Sequence, residues 1–145
     1  MSFHFSLESV LRIRGITEEQ EERLLQNILF EAAQAREALA RTEEEIVALD
    51  AARSANLFKP SAGHYLHASY GEAKQLKQRR EDLKDRLESL DQLRCMQIAA
   101  YEAARRNREM LTGMRDEKFG LYESEMARGE QKMLDENYIA RRGRR

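Results

Sequence analysis

The sequence predicts an all-α protein: a long two-helix antiparallel coiled-coil hairpin with unequal arms and a projecting C-terminal helix. Three observations predict it. Apolar residues recur in alternating steps of four and three over about six heptads of the first half. The only proline sits in "NLFKPSAG", residues 56–63, where the chain can reverse. A helical pattern then resumes and runs farther than the first one did.

The first arm is expected over residues 6–56. Ser6 has the side chain of an N-cap. Glu8 follows where the positive end of the helix dipole favours an acid. Phe5 and Val10 have the spacing of a hydrophobic staple. From Leu7 the seam steps through Leu11, Arg14, Glu18, Glu21, Leu25, Ile28, Ala32, Ala35, Leu39, Thr42, Ile46 and Leu49. An unbroken seven-residue repeat calls for a left-handed supercoil. Gly15 interrupts the helix pattern, at a cost of about 1 kcal/mol relative to Ala, and marks the first turns as a place for a kink.

The turn is expected over 57–71, with Ser61 as a cap for a new helix and the aromatic "HYLHASYG" as either a short helix or an irregular start to the second arm. The second arm is expected over 72–140. Leu76, Leu83 and Leu90 recur every seven residues, and Leu87, Leu93 and Met96 fill the steps between. Beyond Ile98 the stripe thins to Tyr101, Ala104, Met110, Leu111, Met114, Leu121, Tyr122, Met126, Met133 and Tyr138. A basic tail, residues 141–145, closes the chain. With the reversal near Pro60, Leu7 falls beside residue 115. Residues from about 120 then extend past the N-terminus.

Composition agrees with this architecture. Charged residues make up 35% of the 145, with one Pro and no Trp, which suits a seam between helices better than an enclosed core. Residues 1–58 hold 11 acidic and 6 basic groups, whereas the remainder holds 15 and 19. Side by side, the two halves attract. The one cysteine, Cys95, permits no internal disulfide, and no stretch approaches the roughly 20 apolar residues of a membrane span.

Little in the sequence suggests catalysis. His64 and His67 are three apart, but zinc needs three or four ligands and no others accompany them. The many carboxylates lack the desolvated site that acid–base work requires. Neither catalytic residues, a cofactor nor a metal is expected. The terminal "ARRGRR" is a weak nucleic-acid signal without aromatic stacking partners, and no nucleic acid is expected. A Met and aromatic stripe is more often core than partner site, but where unequal arms leave part of it uncovered, that part reads as a surface for a partner helix or groove.

Two motifs carry a resemblance. "FHFSLESVLRIR" resembles the N-terminal signature of the flagellar export protein FliJ family through Phe3, Phe5, Leu7, Glu8, Val10, Leu11 and Arg14. "RGEQKMLDENYIARR" resembles that family's closing motif through Glu130, Gln131, Lys132, Leu134, Asp135 and Glu136. The resemblance implies a non-catalytic component of the bacterial flagellar type III export apparatus, similar to the coiled coil of the rotary-ATPase γ subunit. It would bind the hexameric export ATPase ring, promote its assembly, link it to the export gate membrane protein and escort unloaded export chaperones. It would be monomeric in isolation, cytoplasmic, and peripheral at the inner membrane near the flagellar base. Phe3, Phe5, Leu7, Leu11 and the six closing-motif residues are then expected at the ring, since both motifs fall at one end of the hairpin. Leu66, Tyr70 and Leu76 are expected at the gate on geometry alone, as the opposite tip, which matches no motif of the family. The residues alone leave a self-associating coiled-coil scaffold open as the alternative.

Overall fold

The computed structural model describes residues 2–60 and 62–144. It is an all-α helical hairpin of two long helices, α1 (Glu8–Ala55) and α2 (Ala62–Arg142), which pack against each other. The chain divides into two compact units, Met1–Gln20 with Glu102–Arg145, and Glu21–Tyr101.

α1 follows the seven-residue seam read from the sequence. Leu7, Leu11, Glu18, Glu21, Leu25, Ile28, Ala32, Ala35, Leu39, Thr42, Ile46 and Leu49 are all buried or half-buried. Arg14 is the exception: it is exposed, and the neighbouring Gly15 takes the covered place. The helix runs unbroken through Gly15, whose φ stays in the ordinary range. Thr42 is buried because its hydroxyl donates to the Ala38 carbonyl at 2.8 Å, so no polar group is left unpaired at this point of the seam.

The start of α1 differs from the expected cap. The Leu11 N–H donates to the Leu7 carbonyl, and the Glu8 N–H to the Phe5 carbonyl. Leu7 rather than Ser6 therefore stands at the cap position. The Phe5–Val10 staple does not form: Val10 is 40% exposed, whereas Phe5 is 2% exposed and packs with Leu11 and Leu111.

α2 begins at Ala62, ten residues before the expected arm, so the reversal is short. The reason is that Pro60 is the last strong helix breaker. After it, Leu66, Ser69, Ala73 and Leu76 already occupy covered positions at seam spacing, and tertiary packing outweighs the modest propensities of His, Tyr and Gly. The expected Ser61 cap lies outside the described residues. At the other end Arg141 and Arg142 are the last helical residues instead of a loose tail, placed where cations meet the negative end of the helix dipole.

The α2 seam continues in steps of three and four through Arg80, Leu83, Leu87, Leu90, Arg94, Gln97, Tyr101, Ala104, Arg108, Leu111 and Arg115. Leu93 and Met96, expected on it, are exposed, and Arg94 and Gln97 stand in their place. Long polar side chains can cover a seam with their aliphatic stems while their heads reach partners. Gln97 does so by donating to the Glu21 backbone carbonyl at 3.0 Å and to the Glu21 carboxylate. Arg94 donates to Asp91 at 2.7 and 3.1 Å, which raises its guanidinium above the usual arginine pKa.

Each unit has its own apolar centre. In residues 21–101 it is Ala32, Ala35 and Leu90, flanked by Ile28 and Leu87. Leu90 is 1% exposed, because two alanines opposite let the backbones approach and enclose it. In the other unit the centre is Phe5, Leu11 and Leu111, with Phe3 and Leu7 against them.

Candidate functional surfaces

The unit made by both termini holds the N-terminal motif as a clasp on α2. Residues 2–5 precede α1, and Phe3 and Phe5 among them pack on α2 between Leu111 and Tyr122. The Phe3 ring meets Phe119 edge-on at 5.2 Å and Tyr122 at 5.6 Å. The Lys118 ammonium sits 5.7 Å from the centre of the Phe5 ring. Arg115 reaches Glu8 at 3.8 Å, and Arg108 is doubly hydrogen-bonded to the Glu18 carboxylate. Burying the Phe5 ring contributes about 1.5–3 kcal/mol. An open groove of about 440 Å³ runs beside the clasp between Phe3, Glu8, Arg115 and Phe119.

Of the expected contact residues, Phe5 and Leu11 are buried and Phe3 and Leu7 half-buried. They face α2 and hold the clasp, so Phe5 and Leu11 present no surface of their own. The closing-motif residues behave oppositely. Every residue from 123 to 144 is exposed, including Glu130, Gln131, Lys132, Leu134, Asp135 and Glu136. Gln131 donates to Asp135 one turn on at 3.0 Å, which stiffens that turn modestly. Met126, Met133, Leu134, Tyr138 and Ile139 are large apolar groups on the same bare stretch. The two motifs thus share one compact unit, and about 12 Å of helix separates Tyr122 from Glu130.

Phe119, Tyr122 and Lys118 hold this clasp, and sequence reasoning does not single them out as partners of the N-terminus. A signal exists: Leu7 beside residue 115 implies Phe3 beside residue 119.

The other unit carries the reversal. Leu66 and Leu76 are half-buried on the seam, whereas Tyr70 is exposed. Tyr70 borders a groove of about 350 Å³ lined also by Arg53, Lys74, Lys77 and Arg80. The Nε atoms of Arg53 and Arg80 are covered there without a hydrogen-bond partner, and Arg80 Nε stands 3.4 Å from the Glu81 carboxylate. Leu57 and Phe58 protrude from the turn itself, Phe58 with 98% of its surface in water.

Among the described residues, no group of three or more His, Cys, Asp or Glu could hold a metal ion, and no helix is long and apolar enough to cross a membrane. Cys95 is free and exposed. Comparison with protein-family models, with curated proteins and with solved structures finds no match to this chain.

Proposed function

We propose that this chain is a non-catalytic stalk of a flagellar type III export apparatus, resembling the FliJ family. In this reading it seats on the hexameric export ATPase ring, promotes ring assembly and activity, links the ring to the membrane export gate and hands over unloaded chaperones. It works in the cytoplasm, peripheral to the inner membrane. One observation carries the reading: α2 continues past Tyr122 to Arg142 with every described side chain from 123 on exposed, and this bare stretch holds the closing motif beside uncovered Met, Leu, Tyr and Ile. A solvated helix bearing a band of large apolar groups is poised for a partner.

Burial supports a division of labour in this reading. Phe3, Phe5, Leu7 and Leu11 fix the base of the extension. Glu130, Gln131, Lys132, Leu134, Asp135 and Glu136 meet the ring. Tyr70, exposed beside Leu66 and Leu76, serves the gate.

The test is the activity of a flagellar export ATPase, with intact protein and with a truncation lacking residues 123–145. The intact chain should raise ATP hydrolysis and the truncation should not, while both keep the same helical content per residue. Equal stimulation by both would remove the extension from the ring contact. A stable dimer with no effect on the ATPase would favour the self-associating scaffold.

A further inference from the structure

The turn between the helices is an apolar point in an acid-free stretch of chain. Phe58 is 98% exposed and Leu57 half-exposed. The turn that presents these groups is itself hydrogen-bonded. Leu57 N–H donates to the Ser54 carbonyl at 3.4 Å, Lys59 N–H to the Asn56 carbonyl at 3.2 Å and Ala62 N–H to the Lys59 carbonyl at 3.0 Å. The Asn56 side chain donates to the Ala52 carbonyl at 2.7 Å. Phe58 is therefore presented at the tip of an ordered turn.

Charge around it is one-sided. Between Asp50 and Glu72 the sequence contains no acidic residue, although 26 of the 145 residues are acidic. That interval holds the cations Arg53 and Lys59. Cations beside a protruding aromatic match an anionic lipid surface: the ring enters the headgroup–acyl boundary and the cations stay at the phosphates. A convex point with the whole ring bare suits a fluid that can close around it better than a preformed socket.

We infer that the Leu57–Phe58–Lys59 turn inserts into anionic bilayer surfaces. The inference rests on the turn alone and is independent of the export reading.

The experiment is co-sedimentation of the full chain with phosphatidylglycerol–phosphatidylcholine vesicles and with pure phosphatidylcholine vesicles. Binding is expected for the first and much less for the second. Phe58→Ser should weaken it about tenfold or more, and Lys59→Glu about tenfold. An Arg141→Ser/Arg142→Ser/Arg144→Ser variant should bind like the parent. Phe58→Trp, which gives the chain its sole Trp, should shift its emission to the blue on vesicle addition. Failure of the parent to bind, full binding by Phe58→Ser, or loss confined to the C-terminal arginine variant overturns the inference. So does a Phe58-dependent dimer in place of vesicle binding, which would assign the turn to a second copy. The Ser and Glu variants replace solvent-exposed side chains, and unchanged helical circular dichroism verifies that they fold.

Discussion

At the scale of single residues, the polar side chains on the seam differ in kind from the polar side chains outside it. Arg41 and Glu37 pair one turn apart on α1 with about two-thirds of each side chain in water. Such a pair is worth about 0.3–0.5 kcal/mol, since solvent screens it and ordering two long side chains costs entropy. Glu18 and Arg108 pair across the helices with 15% and 32% of their side chains exposed, and the fork of the guanidinium meets both carboxylate oxygens. Bidentate geometry and partial desolvation both strengthen the contact. Removing Arg108 alone leaves a largely covered carboxylate without that fork, which costs more than the pair contributes. A double-mutant cycle of Glu18→Ala and Arg108→Ala in urea unfolding should give a coupling of about 1–2 kcal/mol, several times that of Glu37 and Arg41. Equal couplings at the two sites would show that solvent screens the cross-helix pair as fully as the surface one.

At the scale of elements, the N-terminal segment is held by rings and not by its own backbone pattern. Residues 2–5 lie outside α1, yet Phe5 is among the most enclosed side chains of its unit. Phe5→Ala should cost about 3 kcal/mol through lost transfer energy and the cavity left behind. Its distinctive effect should be local: amide hydrogen exchange across residues 111–122 should accelerate far more than across residues 80–95. If exchange at 111–122 stays unchanged, the segment does not stabilise that part of α2. The same elements show how far hydropathy patterning reaches. The α1 seam from Leu7 to Leu49 is legible because apolar residues mark most of its steps. The α2 seam is legible through Leu90, slips at Leu93 and Met96 and is recovered at Tyr101, Ala104, Leu111 and Tyr122; between these, Arg94, Gln97, Arg108 and Arg115 cover the seam with aliphatic stems that hydropathy does not register. The helical start of α2 is hidden because tertiary cover at Ser69 and Ala73 outweighs local propensity. Of the candidate surfaces, the bare closing motif is readable from arm lengths. The protruding Phe58 is not, although the acid-free interval around it is in plain view.

At the scale of the whole molecule, the charge asymmetry of the two halves becomes a set of pairings with one polarity. Glu8 meets Arg115, Glu18 meets Arg108 and Glu31 meets Arg86, each an α1 carboxylate against an α2 guanidinium. The first two lie in the unit formed by the termini and the third in the other, so both units use the same sign rule. Around these close contacts stands the longer-range attraction between 11 acids and 6 bases on one side and a basic excess on the other. Salt screens that attraction over a Debye length of about 10 Å at 0.1 M and about 3 Å at 1 M. Burial of apolar surface responds to salt in the opposite sense and is strengthened most by sulfate and phosphate, so sodium chloride is the salt that isolates the electrostatic part. The two half-exposed pairs, Glu8–Arg115 and Glu31–Arg86, at about 0.3–1 kcal/mol each supply roughly 1–2 kcal/mol of salt-sensitive hold, while the more covered Glu18–Arg108 pair is screened less. For a chain of this length that corresponds to a fall in Tm of roughly 3–6 °C between low salt and about 0.3 M sodium chloride. Circular dichroism melts across that range read it directly. An Arg86→Glu/Glu31→Arg exchange should keep most of the fall, because it swaps partners without changing the pairing, whereas Arg86→Glu alone should lower Tm at low salt and reduce its salt dependence. A Tm that is flat or rises for the parent chain would mean that the charge separation along the sequence adds nothing net to the hold between the two helices.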